Sequence, residues 1–259
     1  MKKFDYTRSD IINSLQEVGV DKGDSIFIHS NLGFFGTLED VDTTEEYWRI
    51  FKDAIFQVIT NEGTLIVPTF TYSFCWNQEF ELDFTPSTVG MFSEMVRKDS
   101  ESKRSEDANF SISAIGKNYI YFTKDSPSHS FGKDSFWERF IQMDGKICCF
   151  NVGLMYNTLI HYVEKLVSVP YRFDKSFNGV FVKNGLREKR TYTHFCRDLS
   201  DPRTIPDLSK LNKISYDSGK AKDAKLGRGQ ISCISARDVV DIIKNEIEKN
   251  TSFLIKEKI

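Results

Sequence analysis

The sequence lacks the features that would assign it at once. No run approaches the roughly 20 apolar residues needed to cross a bilayer, and no signal-peptide-length apolar run follows the charged start MKKFDYTRSD. The expectation is a cytoplasmic protein with no membrane partner. Neither sign of charge is in excess. The 35 Lys and Arg face 37 Asp and Glu, a net charge of −2, so nucleic acid and anionic membranes find no general attraction. Cysteine is scarce, odd in number and without C-x-x-C spacing. Cys75, Cys148, Cys149, Cys196 and Cys233 therefore read as reduced thiols rather than a disulfide framework or a structural zinc site. Cys148 and Cys149 in KICCFNV read as small apolar residues of a buried strand. The four histidines, His29, His129, His161 and His194, form no recognisable zinc set. There is no repeat, low-complexity tract or clear linker. With 40% apolar residues, the 259-residue chain reads as one domain spanning 1–259 with a sizeable core.

What is present is alternation. Helical and strand patterns follow one another along the chain, which predicts an α/β fold: a single domain with a central, largely parallel β-sheet flanked by helices. RSDIINSLQEVGV reads as a helix with Ser9 as a cap, and DSIFIHS as the strand after it. TTEEYWRIFKDAIFQVITNEG carries Tyr47, Phe51, Ala54, Ile55 and Val58 at helical spacing and closes at Gly63. TLIVPTF, FSISAIG, GKICCFNVG and NGVFVKNG read as strands, TPSTVGMFSEMVRK as a helix, and residues 157–168 as a helix before the last strand. Residues 196–226, polar and proline-punctuated, read as a loop or lid. SARDVVDIIKNEIEKN closes the chain as an amphipathic helix with a Ser235/Asp238 capping pattern.

Three stretches carry candidate chemistry. In NTLIHYVE, a turn of about 100° per residue puts Asn157, His161 and Glu164 on one stripe beside a buried arc of Ile160, Val163, Leu166 and Val167. A neutral imidazole there can take a proton while the carboxylate orients it, yet the same pattern serves as the polar edge of a packed helix. In IFIHSNLGFFG, His29 and Ser30 end a strand, and Gly33 and Gly36 loosen the following loop at the sheet edge where α/β proteins usually bind ligands. In SKRSEDANFSISAIG, Lys103 and Arg104 with Ser105, Ser111 and Ser113 offer cations and small donors suited to phosphate. The aromatic loop TYSFCWNQEFELDF is long enough to suggest function. Its Tyr72, Trp76 and Asp83 suit sugar rings and amines.

In this order, GDSIFIHSNLGFFG, GTLIVPTFTYSF, DFTPSTVGMFSEMVR, RSEDANFSISAIG, HSFGKDSFWERF, NVGLMYNTLIHYVEKLVSVPYR and GRGQISCISARDVVD resemble the aminoglycoside 3-N-acetyltransferase family. The T-x-x-H-x-x-E block followed by VPYR is the most specific. It falls on Thr158, His161, Glu164 and residues 169–172. The resemblance implies an N-acyltransferase moving an acyl group from acyl-coenzyme A to an amine of an amino sugar, with no metal. It further implies that His161 acts in catalysis with Glu164 nearby and that coenzyme A runs along the first loop and the RS segment: His29, Ser30, Asn31, Leu32, Arg104, Ser105 and Ser111. Direct attack in a ternary complex would make His161 the general base, with Glu164 orienting it or binding the substrate ammonium. Loop N–H groups after Ser30 are candidates for the oxyanion. Phe34, Tyr72, Trp76, Asp83, Asp107, Asn157 and Thr158 are assigned to the acceptor.

One departure bears on that acceptor. The family block reads R-S-x-H-P-x-x-S, whereas RSEDANFS carries Asp107 and Ala108 in place of His and Pro. The near-neutral chain also lacks the acidity that a polycationic antibiotic would favour, and its clusters RKDSESKR, REKR and KAKDAKLGRG suit phosphates. The expectation therefore leans to a nucleotide-linked amino sugar of surface-polysaccharide synthesis. The alternatives are an aminoglycoside acetyltransferase proper, a metal-dependent amidohydrolase and a non-catalytic binding protein.

Overall fold

Strands β1 (Ser25–Ser30), β2 (Thr64–Pro68) and β6 (Lys146–Phe150) form the parallel centre of a seven-stranded sheet. All three are buried on both faces, which their unbroken apolar sequences require. The computed structural model describes residues 4–256; the basic start of the sequence, residues 1–3, and residues 257–259 lie outside it. The sheet order is β4-β5-β2-β1-β6-β10-β9, completed by β4 (Lys103–Arg104), β5 (Ile112–Gly116), β9 (Lys222–Leu226) and β10 (Gly229–Ser235). β5 and β10 run against their neighbours, and β4 and β9 reverse once more, so most strands point one way. The result is the single, largely parallel α/β domain predicted.

Alternation along the central strands divides the core. Ile26, Ile28, Leu65, Val67, Cys148 and Phe150 pack on one face, below α1 (Arg8–Glu17), α2 (Thr44–Ile59) and α3 (Met91–Lys98). Phe27, Ile66, Ile147 and Cys149 pack on the other with α4 (Tyr119–Thr123), α5 (Phe136–Gln142), α6 (Leu159–Leu166) and α8 (Ala236–Lys249). The five cysteines are free thiols, with Cys148 and Cys149 fully buried.

Helix boundaries differ from the expectation where capping competes. Thr7, not Ser9, caps α1, because its hydroxyl takes Asp10 N–H while the Asp10 carboxylate returns to Thr7 N–H. α3 begins at Met91, since Gly90 holds a left-handed φ of 114°. Residues 196–226 are not simply a lid. They contain α7 (Ser209–Asp217), which buries Leu211 and Ser215, and the edge strand β9, which turns Ala224 and Leu226 inward and Asp223 and Lys225 outward. A polar edge strand shows only half of its residues to the core, so composition alone reads as loop.

A second sheet, β3-β7-β8, stands over the carboxyl-end loops. β3 is the short Phe80–Glu81, and β7 (Arg172–Lys183) and β8 (Leu186–Arg197) form a hairpin of twelve residues per strand. Its turn is Asn184–Gly185, both at positive φ, the pairing that a tight hairpin turn prefers. The expected strand NGVFVKNG is only the far end of β7.

Candidate active site

Helix α6 stops because the chain turns left-handed at Ser168 (φ 53°) and Val169 N–H bonds back to Glu164 C=O at 3.1 Å. Pro170 then prevents continuation, and β7 opens at Arg172, which brings its guanidinium back onto the helix. Leu166 therefore faces solvent, while Leu159, Ile160, Tyr162 and Val163 fill the core. Asn157 is not part of the helix. It is buried ahead of it, its Oδ1 accepting Leu159 N–H at 3.0 Å.

The polar stripe gathers around a buried carboxylate. Glu164 is 1% exposed, and His161 Nδ1 lies 3.0 Å from its Oε2. Arg172 Nε lies 2.7 Å from the same oxygen, close enough for ionic attraction although not aligned as a hydrogen bond. Burial by itself would raise the Glu164 pKa. The hydrogen bond and charge of His161 and the charge of Arg172 outweigh it, and the carboxyl is held below its usual range. That contribution to stability is present above the ordinary carboxyl pKa and is lost as pH falls through the lowered one. The adjacent Tyr171 hydroxyl is pushed the opposite way, by burial first and then by the Glu164 charge.

Two adjoining clefts border His161, and another joins them through Tyr156. The first, about 550 Å³, is lined by Ser30, Asn31, Leu32, Phe34 and Gly90, and ends at Tyr156. Tyr156 also lines the second, about 340 Å³, with Asn157, Thr158 and His161. His161 in turn borders the third, about 680 Å³, beside Trp76, Arg172, Phe173, Lys175 and Arg197. Glu164 lines none of them. With Nδ1 committed to Glu164, the imidazole has Nε2 to offer a ligand. Gly36 ends the first loop at φ 88°, where a Cβ would fall 2.3 Å from the Asp5 carboxylate. Gly33 has an ordinary backbone, contrary to its expected loosening role.

The other nominated residues lie elsewhere. Arg104 is buried, donating to Ser111 Oγ (3.1 Å) and to the carbonyls of Leu82 (3.1 Å), Thr85 (2.6 Å) and Thr69 (2.7 Å). Ser105 Oγ accepts Ile112 N–H, and Ser111 Oγ donates to Thr69 C=O. These three build the β4–β5 turn. Asp83 is exposed beside Arg97 and Arg104 in a separate hollow. Tyr72 packs on Trp76 and Phe110. Asp107 is buried, accepting N–H from Asn109 and Phe110 at 2.9 Å each and the Ser130 hydroxyl. Arg104→Met is expected to cost about 2–4 kcal/mol of stability, since it strands several buried carbonyls. Chemical denaturation reads that loss, and unchanged stability with weakened coenzyme A affinity would return Arg104 to a phosphate role.

His29 and His194 are buried, and burial lowers both imidazole pKa values to about 4. The unfolded chain takes up these protons near 6.5 and the folded one only near 4, so stability must fall as pH drops across that window. The loss is about 2 kcal/mol per histidine by pH 5. Thermal melts at pH 7.5 and 5.0 test this, and His194→Gln should flatten the difference. Equal melting at both pH values would contradict neutral burial. His194 also meets Asn109 Nδ2 at 3.1 Å and Cys75 Sγ at 3.9 Å. No sequence signal singled it out. Arg172 and Tyr171 lay within the VPYR block but carried no assigned role.

Among the described residues, no group of three or more His, Cys, Asp or Glu is placed to hold a metal ion, and no helix is long and apolar enough to cross a membrane. A histidine on a buried carboxylate stands at the meeting of two clefts, beside a mixed sheet in an α/β fold. The aminoglycoside 3-N-acetyltransferase family pattern matches residues 27–248, and the chain belongs to that family. It is 24% identical over 267 residues to an aminoglycoside N(3)-acetyltransferase III of Acinetobacter baumannii, covering 95% of this chain and 92% of that one. The fold is shared with AAC-IIIb solved as a binary complex with CoASH, at TM-score 0.81 and 19% identity over 98% and 99% of the two chains. It is also shared with AAC-VIa bound to sisomicin, at TM-score 0.79 and 20% identity over 94% and 98%.

Proposed function

We propose that the protein transfers an acyl group from acyl-coenzyme A to an amine of an amino sugar, with His161 as general base. The observation that carries this reading is the position of His161 at the junction of the clefts, anchored through Nδ1 and able to offer Nε2. Family membership and the CoASH complex of one relative support coenzyme A as donor. The cleft of Ser30, Asn31, Leu32 and Phe34 is the one for its arm. The turn at Leu32–Phe35 leaves its leading N–H groups outside its own hydrogen bonds. They are therefore suited to the thioester oxygen as it gains charge.

The amine gives up a proton to His161 Nε2 and attacks the thioester carbonyl. The C–N bond forms, the C–S bond breaks, and coenzyme A departs as its thiol after taking a proton back. Glu164, inaccessible from the clefts and already shared by His161 and Arg172, orients the imidazole and stabilises its cation. It does not hold the substrate ammonium. The names of the relatives support an amino sugar, the class that includes the aminoglycosides, as the source of the amine. The test is release of coenzyme A thiol from acetyl-CoA across a panel of amino sugars. Absence of acceptor-dependent release, together with absence of acyl-CoA binding by calorimetry, would remove the proposal.

A further inference from the structure

The third cleft has the wrong charge for a polycation. Of the ionised groups lining it, Arg172, Lys175 and Arg197 are cations and Asp198 is the carboxylate. That carboxylate is turned onto Ser200, accepting its N–H at 2.9 Å and its hydroxyl at 2.6 Å. Asp174, on the same hairpin, is held by His129 at 2.9 Å and Lys165 at 2.6 Å. Arg172 and Arg197 face each other across the β7–β8 ladder, a like-charge pairing that costs stability unless an anion lies near. Glu164 neutralises Arg172. Among the described residues, Arg197 and Lys175 make no ion pair with a carboxylate.

Beside these cations the cleft exposes flat apolar faces. Trp76 is 56% exposed and Phe173 is 49% exposed, with Phe110 and Phe177 deeper in the cleft. Lys175 Nζ lies over the Phe177 ring at 5.2 Å, but stacking surface next to a Lys and an Arg without carboxylate partners is the chemistry that receives an aromatic base joined to phosphate.

Resting on the proposed acyl transfer to an amino-sugar amine, we infer that the acceptor is a nucleoside-diphosphate-linked amino sugar rather than an aminoglycoside. Its phosphates meet Lys175 and Arg197, its base lies on Trp76 and Phe173, and its amine reaches His161.

UDP serves as a probe that needs no knowledge of the sugar. It should bind by calorimetry and inhibit competitively against the amine but not against acetyl-CoA. Lys175→Met with Arg197→Met should weaken UDP roughly tenfold to a hundredfold, since charge-assisted hydrogen bonds are lost, while affinity for coenzyme A stays unchanged. In thiol release, UDP-glucosamine should exceed glucosamine 1-phosphate, and both should exceed gentamicin, in kcat/KM. Parity of the first two would assign the site to phosphate alone and overturn the nucleotide inference. So would preference for gentamicin, UDP competing with acetyl-CoA, or a double variant that loses coenzyme A instead. Failure of the acyl-transfer reading is seen separately, as no thiol release with any amine, while UDP binding still tests the cleft.

Discussion

Replacing His161 by alanine should lower turnover by about 10²–10⁴ while leaving the fold and coenzyme A binding in place. The range corresponds to about 3–5 kcal/mol of transition-state stabilisation. The side chain is 27% exposed and its imidazole hydrogen bond is to Glu164, so its removal opens space toward solvent rather than a core cavity. The ring packs edge-on against Phe131 at 5.5 Å, a contact whose loss is small beside the chemical effect. The defect should shrink as pH rises, because an amine that has already shed its proton no longer needs a base. Steady-state rates of the variant from pH 6.5 to 9.5, with coenzyme A affinity measured in parallel, test the assignment. Near-normal turnover at pH 7 would show that His161 is not the base. A loss of coenzyme A affinity matching the loss of rate would place its role in binding.

The central sheet was legible because its strands are buried on both faces and therefore apolar throughout: IFI, LIV and ICCF admit little else. The hairpin of the second sheet was not, because its outward face is as polar as a loop. Asn184–Gly185 was the available signal, and it needed a strand on each side to be read as a turn. At the site, helical spacing brought His161 and Glu164 together, and the observed hydrogen bond matches that geometry. Spacing could not show that Glu164 is enclosed, since enclosure comes from Arg172 returning after Pro170. The RS segment illustrates the reverse. Arg104, Ser105 and Ser111 have phosphate-binding chemistry, but burial commits their donors and acceptors to the β4–β5 turn. Lys175, Arg197 and Trp76 reach one cleft only through the hairpin and the 71–84 loop, so no local pattern could group them.

Glu164→Ala should cost about 3–5 kcal/mol of stability, more than any surface substitution, because it leaves the Arg172 guanidinium buried without its counter-charge. The Arg172 side chain is 6% exposed, and beside this ion pair it has a 3.3 Å hydrogen bond to Phe195 C=O. Water cannot readily replace the lost carboxylate. Glu164→Gln separates the electrostatic role from the geometric one. The amide oxygen can still accept from His161 Nδ1, which keeps the ring in place, but it gives no negative charge to the imidazolium formed as the amine is deprotonated. The glutamine variant should therefore retain the acceptor KM and lose kcat, together with a smaller share of stability than the alanine variant. A carboxylate that held the substrate ammonium would give the opposite split, with acceptor KM rising in Glu164→Gln and kcat largely kept. The double change Glu164→Gln with Arg172→Met removes the stranded cation as well. It should recover much of the stability without recovering turnover, because the imidazolium still lacks its partner. Denaturant unfolding of the variants, beside their steady-state kinetics, distinguishes the two roles.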